Sequence, residues 1–187
     1  MRPLVVSELL TVWERGLAAN PCERALALLT TASPDSSLAS LARATVGRRD
    51  ANLLTLREWA FGPALTVLAD CPKCGQSLET VLRIDDVRVP FSDIANGPEN
   101  LLTSDGYDIR SRPPTTEDLL ACAYEDVTAS RQKLLAQCVT EARHNGEPIG
   151  TECLPDDLVR MVVEQIAASD PQADIRINLV CPECRHT

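Results

Sequence analysis

Aromatic residues are scarce: they make up 3% of the 187-residue chain, two each of Trp, Tyr and Phe. There are also only two Met and two His. A core must therefore be assembled mainly from Leu, Val, Ile and Ala. No apolar run approaches the ~18 residues that a membrane span requires. Met1–Leu10 holds a single basic residue and an early acid, Glu8, and so does not read as a secretory signal. Gly-rich phosphate loops, Gly-x-Ser-x-Gly elbows and His-Glu-x-x-His motifs are missing, which removes the commonest local signatures of catalysis. Basic stripes are missing too. The net charge is −9, and from Cys71 onward 11 basic residues face 20 acidic ones, whereas the preceding segment balances seven against seven. An acidic surface repels phosphate backbones, so nucleic acid is not expected as a direct partner.

Apolar residues are nevertheless 44% of the chain, enough for a soluble globular protein of one domain or a domain with an appended subdomain. The pattern predicts an α+β fold: a helical N-terminal part over residues 1–62, then a mixed α/β part over 63–187, packed as one compact unit. In the first part Ser7 is placed to cap a helix in which Leu9, Leu10, Trp13 and Leu17 recur at helical spacing. Asn20-Pro21 starts a second helix with Ala25, Leu26, Leu28 and Leu29 on its buried face. A short helix is expected near Leu38–Ala44 and a longer one over Arg48–Ala60. Beyond Pro63 the period shifts toward two. Ala64–Ala69, Ser77–Arg83, Tyr107–Ser111 and Asp174–Val180 read as strands, and Asn96–Asp105 as a loop. Three more helices are expected: from Thr115 or Thr116 to Tyr124, near Asp126–Cys138, and over Pro155–Ser169.

What the chain has in quantity is cysteine. Four of its eight form two matched pairs, Cys71-Pro72-Lys73-Cys74 and Cys181-Pro182-Glu183-Cys184, the first followed by Gly75. Two residues between cysteines let both thiolates face one ion about 2.3 Å away. Four thiolates close a tetrahedral site, leaving no open position for water or substrate, so the implied Zn2+ is structural. The pairs are 106 residues apart, where compact zinc ribbons have roughly 15–20 between them. A single shared metal is favoured over separate sites, because closing so long a loop removes much unfolded-state entropy. Disulfides, plain buried thiols and a redox Cys-x-x-Cys are the competing readings. The second knuckle is followed by Arg185–Thr187 alone, so further chain or another subunit is expected to complete that edge.

The other candidates are weaker. Cys122 and Cys138 fall at apolar helix positions as core fillers, and Cys22 and Cys153 are scattered. Free thiols beside a zinc site suit a reducing compartment. His144 sits in a polar, solvated turn, and His186 is a lesser alternative to a cysteine ligand. The pairs Asp85-Asp86, Glu117-Asp118 and Asp156-Asp157 read as helix-start residues. Gly47-Arg48-Arg49-Asp50 is a charged turn at a helix start, a solvated cap or a contact to an acidic neighbouring subunit. No catalytic or cofactor-binding constellation stands out, and an enzyme is not supported.

Several segments taken together carry a resemblance. They are Trp13–Leu17, Gly47–Ala51 with Leu53-Leu54, Leu56–Glu58 and Phe61-Gly62, the Cys71 knuckle, Gly106-Tyr107 to Pro113, Thr116–Leu119, and the run into Cys181. In this order they resemble the baseplate proteins of contractile phage tails and of related bacterial contractile injection systems, of the T-even hub type. The resemblance implies a non-enzymatic structural or assembly component of a baseplate, bound to hub, tube or other baseplate proteins in a hetero-oligomeric particle. It also implies assembly in the bacterial cytoplasm and then residence in the virion or a phage-tail-like particle, without membrane insertion. The alternative is a zinc-ribbon adaptor in a transcription or nucleic-acid complex, since a ribbon alone does not assign function. A metalloenzyme would require one of Cys71, Cys74, Cys181 and Cys184 to give way to water.

Overall fold

The structure is a computed structural model that describes residues 1–90, 99–123 and 125–186. It is α+β, with helices first and two separate antiparallel sheets after them. Helices α1 (Val6–Gly16), α2 (Pro21–Ala32), α3 (Leu38–Ala42) and α4 (Val46–Phe61) form the N-terminal part. Asn20 caps α2 as its sequence position indicates: its side chain accepts from the Glu23 N–H at 3.0 Å, while the Glu23 carboxylate accepts from the Asn20 N–H at 2.8 Å. Ser7 does not cap α1. The helix starts at Val6, and Glu8 accepts the Val5 N–H at 3.0 Å, so a third-position acid replaces the expected hydroxyl cap. Leu29, Ala32 and Leu56 join α2 to α4, with Leu4, Leu28, Leu41 and Leu53 packed around them. The helical stripe of α1 is largely left outside this core: Leu10, Trp13 and Leu17 are 54%, 63% and 67% exposed.

Strands β1 (Ala64–Asp70) and β2 (Ser77–Arg83) form a two-stranded ribbon in register from Ala64↔Arg83 to Asp70↔Ser77. After the short α5 (Ile84–Val87) comes the second sheet, ordered β3 (Asn100–Ser104), β4 (Tyr107–Ser111), β5 (Val139–His144), β6 (Glu147–Pro148). Helices α6 (Thr116–Cys122) and α7 (Val127–Cys138) lie between β4 and β5, and α8 (Asp156–Ser169) follows β6. Ile109, Val139 and Ala142 of the sheet pack on Leu158 and Val162 of α8 to form the second core.

Three further expectations need correction. Residues 100–104 of the expected Asn96–Asp105 loop are strand β3, because Asp105-Gly106, at φ 48° and 81°, makes a two-residue hairpin turn that pairs Ser104 with Tyr107; residues 96–98 lie outside the described residues, as does Tyr124, the expected end of α6. The segment Asp174–Val180 joins no sheet among the described residues. Its alternation is real, yet Ile175, Ile177 and Val180 are 37–63% exposed, so neither face is covered. Finally, His144 is the last residue of β5 rather than part of a solvated turn; its ring stacks on Tyr107 with centroids 4.1 Å apart.

The two parts of the chain are tied where α4 begins. Thr45 bridges Thr115, and the Val46 N–H donates to the Pro114 carbonyl at 3.0 Å. Next to this tie, Arg112 grips Asp118 through both guanidinium nitrogens at 2.6 and 3.0 Å. Burial would raise the Asp118 pKa, but the Arg112 guanidinium and the Thr115 N–H and hydroxyl outweigh it and hold the carboxyl below its usual value.

Candidate metal centre

Each cysteine knuckle is a closed loop of backbone hydrogen bonds, and the two are built alike. In the first, the Gly75 N–H donates to the Cys71 carbonyl and the Cys71 N–H to the Gln76 carbonyl, at 2.9 and 2.8 Å. In the second, the Arg185 N–H donates to the Cys181 carbonyl and the Cys181 N–H to the His186 carbonyl, both at 2.9 Å. The residue after each second cysteine must turn left-handed: Gly75 has φ 71° and Arg185 has φ 54°. Glycine adopts this without strain, whereas an arginine does so only because the knuckle demands it.

The ribbon β1–β2 carries the first knuckle at its tip, between Asp70 and Ser77. The second arrives on the unpaired segment after α8. Cys71, Cys74, Cys181 and Cys184 converge, with all four sulfurs within 4.8 Å of one another. Cys71 Sγ lies 3.6 Å from Cys184 Sγ, and Cys74 Sγ lies 3.6 Å from Cys181 Sγ. A tetrahedron with metal–sulfur bonds of about 2.3 Å has edges of about 3.8 Å, so the donor spacing fits one four-coordinate zinc. It is far longer than a disulfide, whose sulfurs are about 2.05 Å apart. Cys71 and Cys181 are buried, Cys184 is half-buried and Cys74 is exposed.

The local field favours an anion at Cys71 and resists one at Cys74 and Cys184. The Cys74 N–H points at the Cys71 sulfur and, with help from the Lys73 N–H, outweighs burial to bring that thiol down to about 6. For Cys74 the Gln76 N–H acts in the same direction, but Cys184, burial and the other two sulfurs push it up to about 12. Cys184 is also raised: burial and the neighbouring Cys71 overcome the His186 N–H. Four thiolates packed this closely need a compensating positive charge, which a divalent metal supplies.

The remaining candidates fall elsewhere. His186 enters the second knuckle through its backbone carbonyl, and its ring is not among the grouped ligand atoms. Cys122 and Cys138 are buried, and burial pushes the Cys138 thiol up to about 11. Cys22 is half-buried near Arg49, and Cys153 is exposed in a short 3-10 turn. Glu117-Asp118, Asp85-Asp86 and Asp156-Asp157 occupy the first turns of α6, α5 and α8. Sequence reading gave no special role to Asp170, whose buried carboxylate accepts from the Gly47 N–H.

A family model described as T4 bacteriophage base plate protein matches residues 34–187. The chain belongs to that family. The match takes in everything from α3 to the second knuckle and leaves α1 and α2 outside it, including the Trp13–Leu17 segment that opened the sequence resemblance. No curated protein and no solved structure matches the chain. Among the described residues, no helix is long and apolar enough to cross a membrane.

Proposed function

We propose that this baseplate-family protein is a non-enzymatic structural or assembly component of a contractile phage tail or related injection machine, held in shape by one structural Zn2+. Its ligands are Cys71, Cys74, Cys181 and Cys184. The observation that carries the metal assignment is the convergence of four sulfurs from two knuckles 106 residues apart. Closing a loop of that length costs roughly 4 kcal/mol of chain entropy, which metal–thiolate bonds can offset. With all four positions taken by sulfur, the zinc has no site for an activated water and serves as a crosslink. A bound Zn2+ would offset half of the charge of the four thiolates and would fasten the segment after α8 to the tip of the β1–β2 ribbon. Hub, tube or other baseplate proteins are the partners of this reading, reached during assembly in the bacterial cytoplasm and retained in the particle.

Two measurements test it. Elemental analysis with native mass spectrometry is expected to find one zinc per chain, absent from Cys181→Ser. Untagged protein is expected to co-purify with sheathed, tail-like particles. Metal-free protein with disulfides would overturn the zinc assignment, and absence from intact particles would reduce the role to assembly alone.

A further inference from the structure

Helix α1 has two apolar faces, and the fold uses one of them. Gly16 is buried against Arg24 of α2, and Val12 is buried as well. The other face holds Val6, Leu10, Trp13 and Leu17, all between 54% and 74% exposed. Beside it opens a groove of about 460 Å3, bordered by α1, Leu28 of α2 and Phe61 of α4, with Arg24 its only charged wall residue among the described residues. A second recess of about 340 Å3 continues it and shares Leu9, Leu28 and Phe61. Phe61 itself is 73% exposed.

We infer that this face is a two-fold interface between copies of this chain, in which the α1 helices pair antiparallel and each Phe61 borders the partner helix. The steps of four, three and four residues from Val6 to Leu17 are those of a coiled-coil seam, and the series reads the same in both chain directions. Antiparallel pairing therefore seats Val6 on the partner's Leu17 and Leu10 on the partner's Trp13, smaller against larger each time, with the helix dipoles opposed. Parallel pairing would force Trp13 onto the partner's Trp13. The area is sufficient. At their exposures, Val6, Leu10, Trp13, Leu17 and Phe61 present roughly 600 Å2, so a pair buries about 1,200 Å2, the lower edge of specific, stable interfaces. Charge permits the contact here: residues before Cys71 balance seven basic against seven acidic, while the remainder of each copy carries the whole −9 and repels its like. A lipid surface fits less well, because the polar side of α1 holds Glu8, Glu14 and a single cation, Arg15, where membrane-surface helices are rich in Lys and Arg. The pairing depends neither on the metal nor on the baseplate role proposed above.

The test is sedimentation velocity of the full-length protein from low micromolar to submillimolar concentration. The expected result is a 20.3 kDa species that gives way to one of twice that mass as concentration rises. Leu10→Glu is expected to weaken the pairing at least tenfold, and Trp13→Lys likewise. The double variant Leu10→Glu/Trp13→Lys is expected to regain most of that loss, since each introduced acid then faces the partner's introduced base. Val127→Glu, at an exposed apolar position of α7, is expected to leave the pairing unchanged. All four variants are expected to keep the wild-type circular dichroism spectrum. A 20.3 kDa species at every concentration, or a dimer weakened equally by Leu10→Glu and Val127→Glu, would overturn the interface. A double variant that recovers nothing would overturn the antiparallel register. Monomeric protein that sediments with vesicles of phosphatidylglycerol and phosphatidylcholine would overturn the pairing in favour of a lipid surface.

Discussion

The Asp170 carboxylate accepts a hydrogen bond from the backbone N–H of Gly47 at 2.8 Å, across 123 residues of sequence. Gly47 lies in the first turn of α4, where helix N–H groups have no partner within the helix. Thr45 takes the Arg48 N–H, Pro114 takes that of Val46, and Asp170 takes the one between. The helix is thus capped partly from outside, by the residue that directly follows α8. Through this contact the helical part is held to the segment that leads to the second cysteine knuckle.

The approach is close enough that a Cβ at residue 47 would overlap the Asp170 carboxylate and press on the Ala173 backbone. Gly47→Ala is expected to destabilise the protein by about 1–3 kcal/mol, through overpacking and a weakened bond to a buried carboxylate. Urea denaturation followed by circular dichroism measures this. A midpoint equal to wild type would show that the helix start and Asp170 move apart at little cost.

Asp170 and Asp118 should give opposite pH dependences. Burial raises the Asp170 pKa, the Gly47 N–H and Thr45 hydroxyl lower it, and the charge of Asp50 raises it further, for a net upward shift. Its favourable contribution is therefore complete below the unfolded carboxylate value of about 3.9 and is lost as pH rises through the higher folded value. Asp118 is shifted down, so its contribution is present above the unfolded value and lost as pH falls through the lower folded one. Relative to wild type, Asp170→Asn should gain stability as pH rises through the Asp170 titration, and Asp118→Asn should lose stability on going from acid to neutral pH. Denaturation midpoints of the three proteins across pH 2 to 8 check the signs, since any general effect of metal release is common to all of them. Parallel curves would contradict both assignments.

Local signals were legible in the sequence, and among the long-range contacts only the convergence of the two cysteine knuckles was. The cysteine knuckles and the Asn20 cap are written within a few adjacent residues, so spacing alone identifies them. Strand β3 was hidden by a polar, Gly-containing stretch, although Asp105-Gly106 is a strong hairpin signal and Asn145-Gly146, with φ 52° and 87°, marks the second hairpin in the same way. Asp174–Val180 misleads in the other direction. Alternation reports which way side chains point, but a strand also needs a neighbouring edge, and none pairs with this segment. For α1 the period identified a helix correctly but said nothing of what covers Leu10, Trp13 and Leu17. The Asp170–Gly47 bond could not be read at all, because an Asp after a helix and a Gly early in another have no shared pattern.

The matched knuckles supply a further prediction. Gly75 and Arg185 hold equivalent left-handed positions, but only one is glycine. Gly75→Ala would meet no neighbouring atom, so its cost should be the backbone strain alone, about 1 kcal/mol. Arg185→Gly should relieve similar strain, partly offset by the greater freedom of glycine in the unfolded chain, for a net gain below about 1 kcal/mol. Competition with a zinc chelator is the sensitive readout, because strain in a knuckle lowers metal affinity directly. Gly75→Ala should release zinc more readily than wild type and Arg185→Gly less readily. An equal response from both variants would break the equivalence of the two loops.

Removing the proposed zinc should act locally. The β1–β2 ribbon alternates half-buried and exposed residues along both strands, and two-stranded ribbons are marginal without further support. Neither of the two cores includes a cysteine of the cluster: one lies between α2 and α4, the other between the β3–β6 sheet and α8. Chelation should therefore free the segment from Asp174 to His186 and loosen the ribbon tip while both cores persist. Hydrogen exchange resolves this by peptide. Protection is expected to fall at the amides of Cys71, Gly75, Cys181 and Arg185, which close the two knuckles, and to survive at Leu29, Ile109 and Val162. Exchange that rises everywhere at once would make the zinc a requirement for the whole fold, and exchange that does not change would mean that the four sulfurs hold no structural metal.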